Sequence, residues 1–173
     1  QDSPTQNYAT LNPLFTKSVS ANFSDANLKY QGSSDGAIKF PISTIVIESP
    51  AYWESVPTGD VVGVGLATYD TADTAPFGEG PSTFSFLYNG LIRTNGTTLA
   101  TVGTYTTGDI VGQAYDPATG EWSVSVNGVW QNGGNPVGTV SEDYRQKLTP
   151  ALAPNAGHKT INYGQQPFLF TPP

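Results

Sequence analysis

The sequence lacks cysteine entirely and has a single histidine, His158, among its 173 residues. Without cysteine the chain can form neither disulfides nor thiolate metal sites, and one histidine alone cannot build a zinc centre. Stability must therefore come from packing, and a zinc site is excluded. We expect His158 to lie at the surface, on a strand.

Charge is scarce as well. Charged residues make up 12% of the chain, and 14 acidic against 7 basic residues give a formal net charge of −7. Lys and Arg are nowhere clustered, whereas phosphate backbones and anionic membranes require clustered cations. No apolar run approaches the roughly 18 residues of a membrane span. The sequence therefore predicts neither a nucleic-acid partner nor a membrane partner.

Short β-branched and aromatic runs alternate with turn dipeptides, and helical periodicity is hard to find. Val61 to Thr68 sets bulky residues against glycine and alanine, as in a central strand. Asn89-Gly90, Asn95-Gly96 and Asn127-Gly128 predict tight hairpin turns with positive backbone angles. The length fits one domain. We predict a polar segment over residues 1–10 and a single all-β domain over residues 11–173.

The clearest unit is an antiparallel meander between Asp109 and Trp130. Its segment WSVSV directs the tryptophan and valines to one face and Ser123 and Ser125 to the other. This alternation is typical of a sheet that is packed on one side and wet on the other.

Three later segments complete the secondary-structure prediction. Lys159 to Tyr163 and Phe168 to Phe170 are expected to be closing strands, separated by glycine and proline. Ser141 to Lys147 is the one segment that favours a helical turn, because a serine cap precedes two acidic residues.

Several short motifs follow one another along the chain. They are YWE (Tyr52 to Glu54), GDVVGVGLA (Gly59 to Ala67), TGDIVGQAYD (Thr107 to Asp116), GEWSVSVNG (Gly120 to Gly128), LTPAL (Leu148 to Leu152) and INYGQQPF (Ile161 to Phe168). In this order they resemble the SPRY domain family. The resemblance implies a bent β-sandwich of two antiparallel sheets, no cofactor, and a ligand surface built from loops at one end of the sheets.

Within that family the chain is most similar to domains of bacteriophage tail and other virion proteins and of bacterial surface proteins. The stretches that carry this likeness are Leu11 to Tyr30, Gly90 to Asp109, Gly128 to Val140 and Phe168 to Pro173. The resemblance implies a virion or extracellular location, and contact with a host.

Candidate ligand-binding residues lie on two long loops, Thr68 to Ser82 and Gln131 to Arg145, because a rigid sandwich carries its variable chemistry on loops. Exposed aromatic rings flanked by Asn and Asp suit a sugar, which stacks on the ring while polar groups hold its hydroxyls. Together with two neighbours, the candidates are Tyr69, Asp70, Asp73, Phe77, Glu79, Arg93, Trp130, Asn132, Asn135, Tyr144 and Arg145.

Five other conspicuous residues are interpreted as structural. Trp53 and Glu54 belong to a core strand in the family that the motifs resemble. Trp122 falls in the inward row of its strand, and Asp109 and Asp116 are expected to cap turns by accepting backbone N–H bonds.

A calcium site is a further alternative. Asp60, Asp70 and Asp73 offer oxygen ligands, although their spacing matches no EF-hand loop.

Catalysis finds little support in the sequence. A glycosidase needs two carboxylates facing one cleft, and here the glutamates are scattered, with only Glu48 and Glu54 close together, on either side of Pro50. A serine nucleophile would need a base and a G-x-S-x-G elbow, and phosphate-binding glycine loops are missing. We therefore predict that the chain is not an enzyme.

The preferred hypothesis is a virion-associated domain that binds a host surface glycan or protein. The alternative is a structural module that contacts other virion subunits and has no receptor of its own. Hydrolysis of a surface polysaccharide and recruitment of protein substrates are less favoured. We expect the isolated domain to be a monomer, because no coiled-coil heptads impose a trimer.

Overall fold

The computed structural model describes residues 8–14, 22–31, 40–69 and 76–173. Within these ranges the chain forms eleven β-strands and one 3₁₀ helix, and no helix has the length and apolarity that a membrane crossing requires. In chain order they are β1 (Asn22–Ser24), β2 (Lys29–Gln31), β3 (Ala51–Thr68), β4 (Thr83–Leu87), β5 (Leu91–Thr94), β6 (Thr97–Thr101), β7 (Val111–Tyr115), β8 (Glu121–Val126), β9 (Val129–Trp130), the 3₁₀ helix (Asn132–Gly134), β10 (Gly138–Thr139) and β11 (Leu148–Asn162).

Two long strands, β3 and β11, organise the fold. They pair antiparallel along almost their whole length, from Thr68 opposite Leu148 to Glu54 opposite Asn162. The first part of β3 also pairs with β7, and its last part pairs with β4. The two long strands therefore belong to both sheets, and the ladder between them shifts register at Ala153 to Gly157.

One sheet has the strand order β10-β8-β7-β3-β11-β2-β1, with β9 also paired to β8. The other has the order β6-β5-β4-β3-β11. Every strand pairing is antiparallel. The predicted bent sandwich of two antiparallel sheets is confirmed.

The core lies between the sheets and is built from alternate residues of the long strands and their neighbours. Trp53 and Leu66 of β3, Phe86 of β4, Trp122 of β8 and Leu152 of β11 are each at most 1% exposed. Burial of one such side chain contributes about 1.5 to 3 kcal/mol. The inward orientation predicted for Trp53 and Trp122 is confirmed.

A second, smaller core covers the outer face of the other sheet. It consists of Phe40, Ile42, Ala67, Phe77, Ala151 and Ala153. The glycine face of β3 makes room for it, since a Cβ on Gly63 would lie 3.6 Å from Cδ1 of Phe77. The close approach predicted for this face is therefore present.

The final residues, 163–173, cross the outer face of the first sheet, and we call them the C-terminal strap. The buried carboxylate of Glu54 accepts hydrogen bonds from the backbone amides of Leu169, at 3.0 Å, and Phe170, at 2.9 Å. No strand forms over Phe168 to Phe170, so the prediction of a closing strand there is wrong. The amides that would pair with a strand bind a carboxylate instead.

The strap also explains an error in the predicted exposure of β8. Ser125 is 1% exposed, although the alternation in WSVSV assigns it to a wet face. Its hydroxyl lies beside Tyr52 over Gly112, on the side where Phe168 packs edge-on against Tyr52 at 4.7 Å. The outer face of this sheet is therefore covered at Ser125.

Two of the three predicted Asn-Gly turns have the expected backbone. Both residues have positive φ in Asn95-Gly96 and in Asn127-Gly128, as a type I′ turn requires. In Asn89-Gly90 only the glycine has positive φ, so that hairpin uses a longer loop. Ser141 to Lys147 forms consecutive hydrogen-bonded turns, and the 3₁₀ helix lies instead at Asn132–Gly134, where the sequence predicts none.

Candidate binding site

Tyr69 is the most exposed of the aromatic residues that were predicted to bind a ligand. It follows the end of β3, and 41% of its surface is accessible. Its hydroxyl accepts a hydrogen bond from Nδ2 of Asn12 at 3.5 Å, and its backbone N–H donates to the carbonyl of Lys147 at 3.1 Å. Leu14 follows Asn12 and is tied to it, since its backbone N–H donates to Oδ1 of Asn12 at 3.0 Å, and Leu14 is 94% exposed. We call Asn12, Leu14, Tyr69 and Lys147 the Tyr69 surface.

The contact between Tyr69 and Lys147 brings the bases of the two predicted loops together, since Lys147 lies two residues after the end of the second loop. Asp70 and Asp73 of the first loop lie outside the described residues. Sequence reasoning missed Asn12 and Leu14 because nothing local links them to the end of β3.

Phe77 does not fit the prediction. It is 3% exposed and packs against Phe40 with ring centroids 5.0 Å apart. The expectation of an exposed loop aromatic is wrong for this residue, because the glycine face of β3 provides an apolar surface on which the ring is buried.

Glu79 and Arg93 form an ion pair, with Oε1 and Nη1 2.5 Å apart and both side chains partly exposed. Arg93 also donates from Nη2 to the carbonyl of Gly96 at 2.9 Å. These contacts hold the first loop against the β5–β6 turn. As ligand-binding residues, Glu79 and Arg93 stay a prediction.

The candidates of the second loop mostly stabilise the loop itself. Asn132 donates from Nδ2 to the carbonyl of Pro136 at 2.9 Å, and Asn135 donates from Nδ2 to the carbonyl of Asn132 at 3.1 Å. Trp130 is partly buried, and its ring centroid lies 6.1 Å from that of Tyr52. All three side chains therefore have structural roles, and their binding role stays a prediction.

Tyr144 and Arg145 lie where the second loop returns to the core. Tyr144 is partly buried against the main core. Arg145 donates from Nε to the carbonyl of Val140 at 3.1 Å and from Nη1 to that of Ala118 at 3.2 Å. Truncation of either side chain is expected to disturb folding as well as any binding.

The two aspartates that were interpreted as turn caps have that role. Asp109 accepts from the backbone N–H of Thr106 at 2.7 Å and from Nδ2 of Asn127 at 2.8 Å. The hydrogen bond from Asn127 is the main cause that lowers the pKa of Asp109. Asp116 accepts the backbone N–H of Ala118 at 2.8 Å.

A groove that the sequence did not indicate lies on the outer face of the first sheet, with a volume of about 440 Å³. Its floor is formed by Tyr52, Ala114 and Ser123, which are neighbours across β3, β7 and β8. Its walls carry Pro50, Pro136, Pro172 and Pro173. We call it the proline groove.

Two carboxylates, those of Asp116 and Glu121, lie in the lining of the proline groove, which contains no lysine or arginine. The tyrosines of the lining are neutral, because burial raises the pKa of Tyr115 to about 12 and burial and Glu54 raise that of Tyr52. The groove is therefore acidic. The prolines lie far apart in sequence, so no local pattern predicts it.

The described residues contain no group of three or more His, Asp and Glu side chains that could hold a metal ion. The calcium alternative rests on Asp70 and Asp73, which lie outside the described ranges, and on Asp60, whose side chain does too. His158 lies on β11, and its side chain also lies outside them.

No protein-family model matches the chain, and no curated protein matches it. Several solved structures do match the chain. The SPRY domain of human HERC1 aligns with a TM-score of 0.68 over 91% of this chain and 99% of that domain, at 15% identity. The fold is that of an SPRY domain.

Two further solved structures are similar to this chain, and one of them is a PSpry domain. The TRIM65 PSpry domain aligns with a TM-score of 0.69 over 90% of this chain and 92% of that chain, at 16% identity. A stonustoxin structure aligns with a TM-score of 0.68 over 90% of this chain, at 20% identity, and the match spans 27% of the stonustoxin chain. The resemblance to phage and virion versions stays a prediction.

Proposed function

We propose that this chain is a non-catalytic recognition domain of a virion protein, carried on a phage tail fibre or a capsid, that binds a glycan or protein on the host surface. The SPRY fold supports a binding role, because a rigid sandwich presents its connecting loops to other molecules. The motifs that resemble phage and bacterial surface proteins support the virion setting.

The observation that carries this proposal is the Tyr69 surface. An aromatic ring that is 41% exposed stands beside the Asn12 amide and the base of the second loop. A ring of this kind stacks on the apolar face of a sugar or on an apolar side chain, while the Asn12 amide holds a polar group.

The test is binding of the fluorescently labelled domain to candidate host cells and to a bacterial glycan array. We expect Tyr69→Ala to reduce binding at least tenfold, because the stacking ring is lost. Tyr88→Ala is the matched control, since Tyr88 is 52% exposed on the β4–β5 loop. Melting temperatures of both variants should stay within a few degrees of the original.

Equal loss of binding in both tyrosine variants would count against the Tyr69 surface. If the original domain bound to none of the hosts and glycans tested, that result would count against receptor recognition altogether.

The second candidate function is an assembly module that contacts other virion subunits, and the edge strand β6 favours it. Among the described strands β6 pairs only with β5, and Thr97 and Thr98 on it are exposed and uncharged. An uncharged edge accepts a further strand readily.

Sedimentation of the isolated domain separates the two candidates. A monomer agrees with the recognition domain. A stable trimer that Thr98→Lys dissociates would favour the assembly module, because a charge on the edge blocks strand pairing.

A further inference from the structure

We propose that the proline groove binds an extended polypeptide segment of a partner protein through a basic side chain, Lys or Arg. This site differs from the Tyr69 surface, since none of that surface's residues lines the groove. Its ligand is therefore a second one, independent of the receptor proposed above.

Charge is the first reason. Asp116 and Glu121 stand at the two ends of the turn between β7 and β8, and both line the groove. Arg145 lies beside this turn, and its guanidinium donates to the carbonyls of Val140 and Ala118 rather than to either carboxylate, so two negative charges face one positive charge there. A partner's ammonium or guanidinium group would supply the missing positive charge.

The net charge of −7 adds a long-range attraction for a basic partner.

Rigidity is the second reason. The hydroxyl of Tyr52 donates to Oε1 of Glu54 at 3.0 Å, and its ring packs against Phe168 and near Trp130. The floor of the groove is thus fixed before a ligand arrives. Proline walls lose little conformational entropy on binding.

The chemistry of the walls favours a peptide over a sugar. Four prolines contribute no side-chain hydrogen-bond donors, and the Tyr52 hydroxyl is already bound to Glu54. The two carboxylates could accept from a sugar's hydroxyls, but the proline walls offer it no polar group, whereas the apolar side chains that flank a Lys or Arg would pack on proline.

The test uses ¹⁵N-labelled protein of the full 173 residues and a pentapeptide library with central Arg and apolar residues elsewhere. Matched libraries carry citrulline, which keeps the shape of arginine without its charge, or Glu at the centre. We expect the Arg library to shift the amide signals of Ala114 and Ser123. The citrulline library should bind about tenfold more weakly, and the Glu library not at all.

The double variant Asp116→Asn/Glu121→Gln should weaken Arg-peptide binding about tenfold, roughly threefold for each charge removed. Asparagine at 116 keeps an oxygen for the backbone N–H of Ala118, so the turn survives. Glu142→Gln/Asp143→Asn is the control, because it removes the same charge from exposed positions outside the groove and should leave binding unchanged.

Three results would overturn the proposal: equal binding of the Arg and citrulline libraries, equal weakening by the two double variants, or no shifts at Ala114 and Ser123 with any library. Shifts there with a panel of neutral oligosaccharides, and none with peptides, would also overturn it. Host or glycan binding through Tyr69 is measured separately, so either proposal can fail without the other.

Discussion

Oε1 of Glu54 accepts the backbone N–H of Phe170 at 2.9 Å and so joins the first long strand to a residue 116 positions later. Oε2 of the same carboxylate accepts the N–H of Leu169 at 3.0 Å, and Glu54 is 3% exposed. A buried carboxylate that receives consecutive backbone amides holds a segment firmly, because charge-assisted hydrogen bonds are stronger than neutral ones. Glu54 is therefore the anchor of the C-terminal strap.

We predict that Glu54→Ala lowers the free energy of unfolding by about 2 to 3 kcal/mol, because the strap amides lose their acceptor. Urea denaturation measures the change. Hydrogen exchange should also show lost protection at the amides of Leu169 and Phe170. Glu121→Ala is the control, since that carboxylate is exposed and its removal should cost less than about 0.5 kcal/mol. Unchanged amide protection in Glu54→Ala would contradict the anchor.

Gly128 gives a second test of the strap. Its φ is +79°, and an added Cβ would collide with the ring of Phe170. We predict that Gly128→Ala destabilises the fold by more than the roughly 1 to 2 kcal/mol that a left-handed backbone alone costs an alanine. Gly108→Ala is a matched control, because Gly108 has φ +89° with no atom within 4 Å of the added Cβ. Equal melting temperatures for the two variants would show that Phe170 does not pack there.

We predict that the stability of the fold depends on pH through Lys159. This residue is 2% exposed on β11, its Nζ donates to the carbonyl of Ala153, and burial lowers the pKa of its ammonium to about 7. Between pH 7 and pH 10.5 the unfolded chain holds this proton and the folded chain does not, so stability rises with pH, by at most about 1.4 kcal/mol per unit. Below pH 7 the full cost of the buried charge remains.

The test compares Lys159→Met with the original protein by urea denaturation at pH 6, 7.5 and 9. We expect the variant to be more stable at pH 6 and its advantage to shrink as the pH rises. Other titrating groups are common to both proteins, so the difference reports Lys159 alone. A difference that does not change with pH would show that the amine keeps its ordinary pKa.

We predict that substitution of Gln113 by an apolar residue stabilises the fold. The Gln113 side chain is fully buried on β7, opposite Trp53 and Val124, and its amide nitrogen and oxygen find no hydrogen-bond partner among the described residues. An unpaired buried amide costs about 1 to 3 kcal/mol. We therefore expect Gln113→Met to raise the melting temperature. A fall in the melting temperature would contradict the prediction that this amide destabilises the fold.

The sequence predicts the fold well wherever the pattern is local. The meander from Asp109 to Trp130 and the turn at Asn127-Gly128 follow from side-chain alternation and from the conformations that Asn and Gly permit. The length of β3 does not, because Pro57 and Gly59 interrupt the local strand signal while pairing with β11 carries the strand through. Tertiary pairing overrides propensity there.

The candidate site was harder to predict, since burial of a loop residue depends on distant partners. The sequence predicts that Phe77 is exposed, but in the fold its ring is buried beside Gly63 of β3. Tyr69 is exposed as expected, yet its neighbour Asn12 comes from a segment 57 residues earlier. The proline groove combines Pro50, Pro136 and the strap, which only the folded chain brings together.

The position of β11 between β2 and β3 has a consequence for how the molecule is made. Among the described strands β2 pairs with β1 and β11 alone. The hairpin of β1 and β2 therefore joins the rest of its sheet through β11, which begins more than a hundred residues later in the chain. The ribosome must therefore synthesise β11 before that hairpin can dock. Such distant pairings also slow folding, and a nascent chain still missing Leu148 onward would leave one edge of β3 open to unwanted partners.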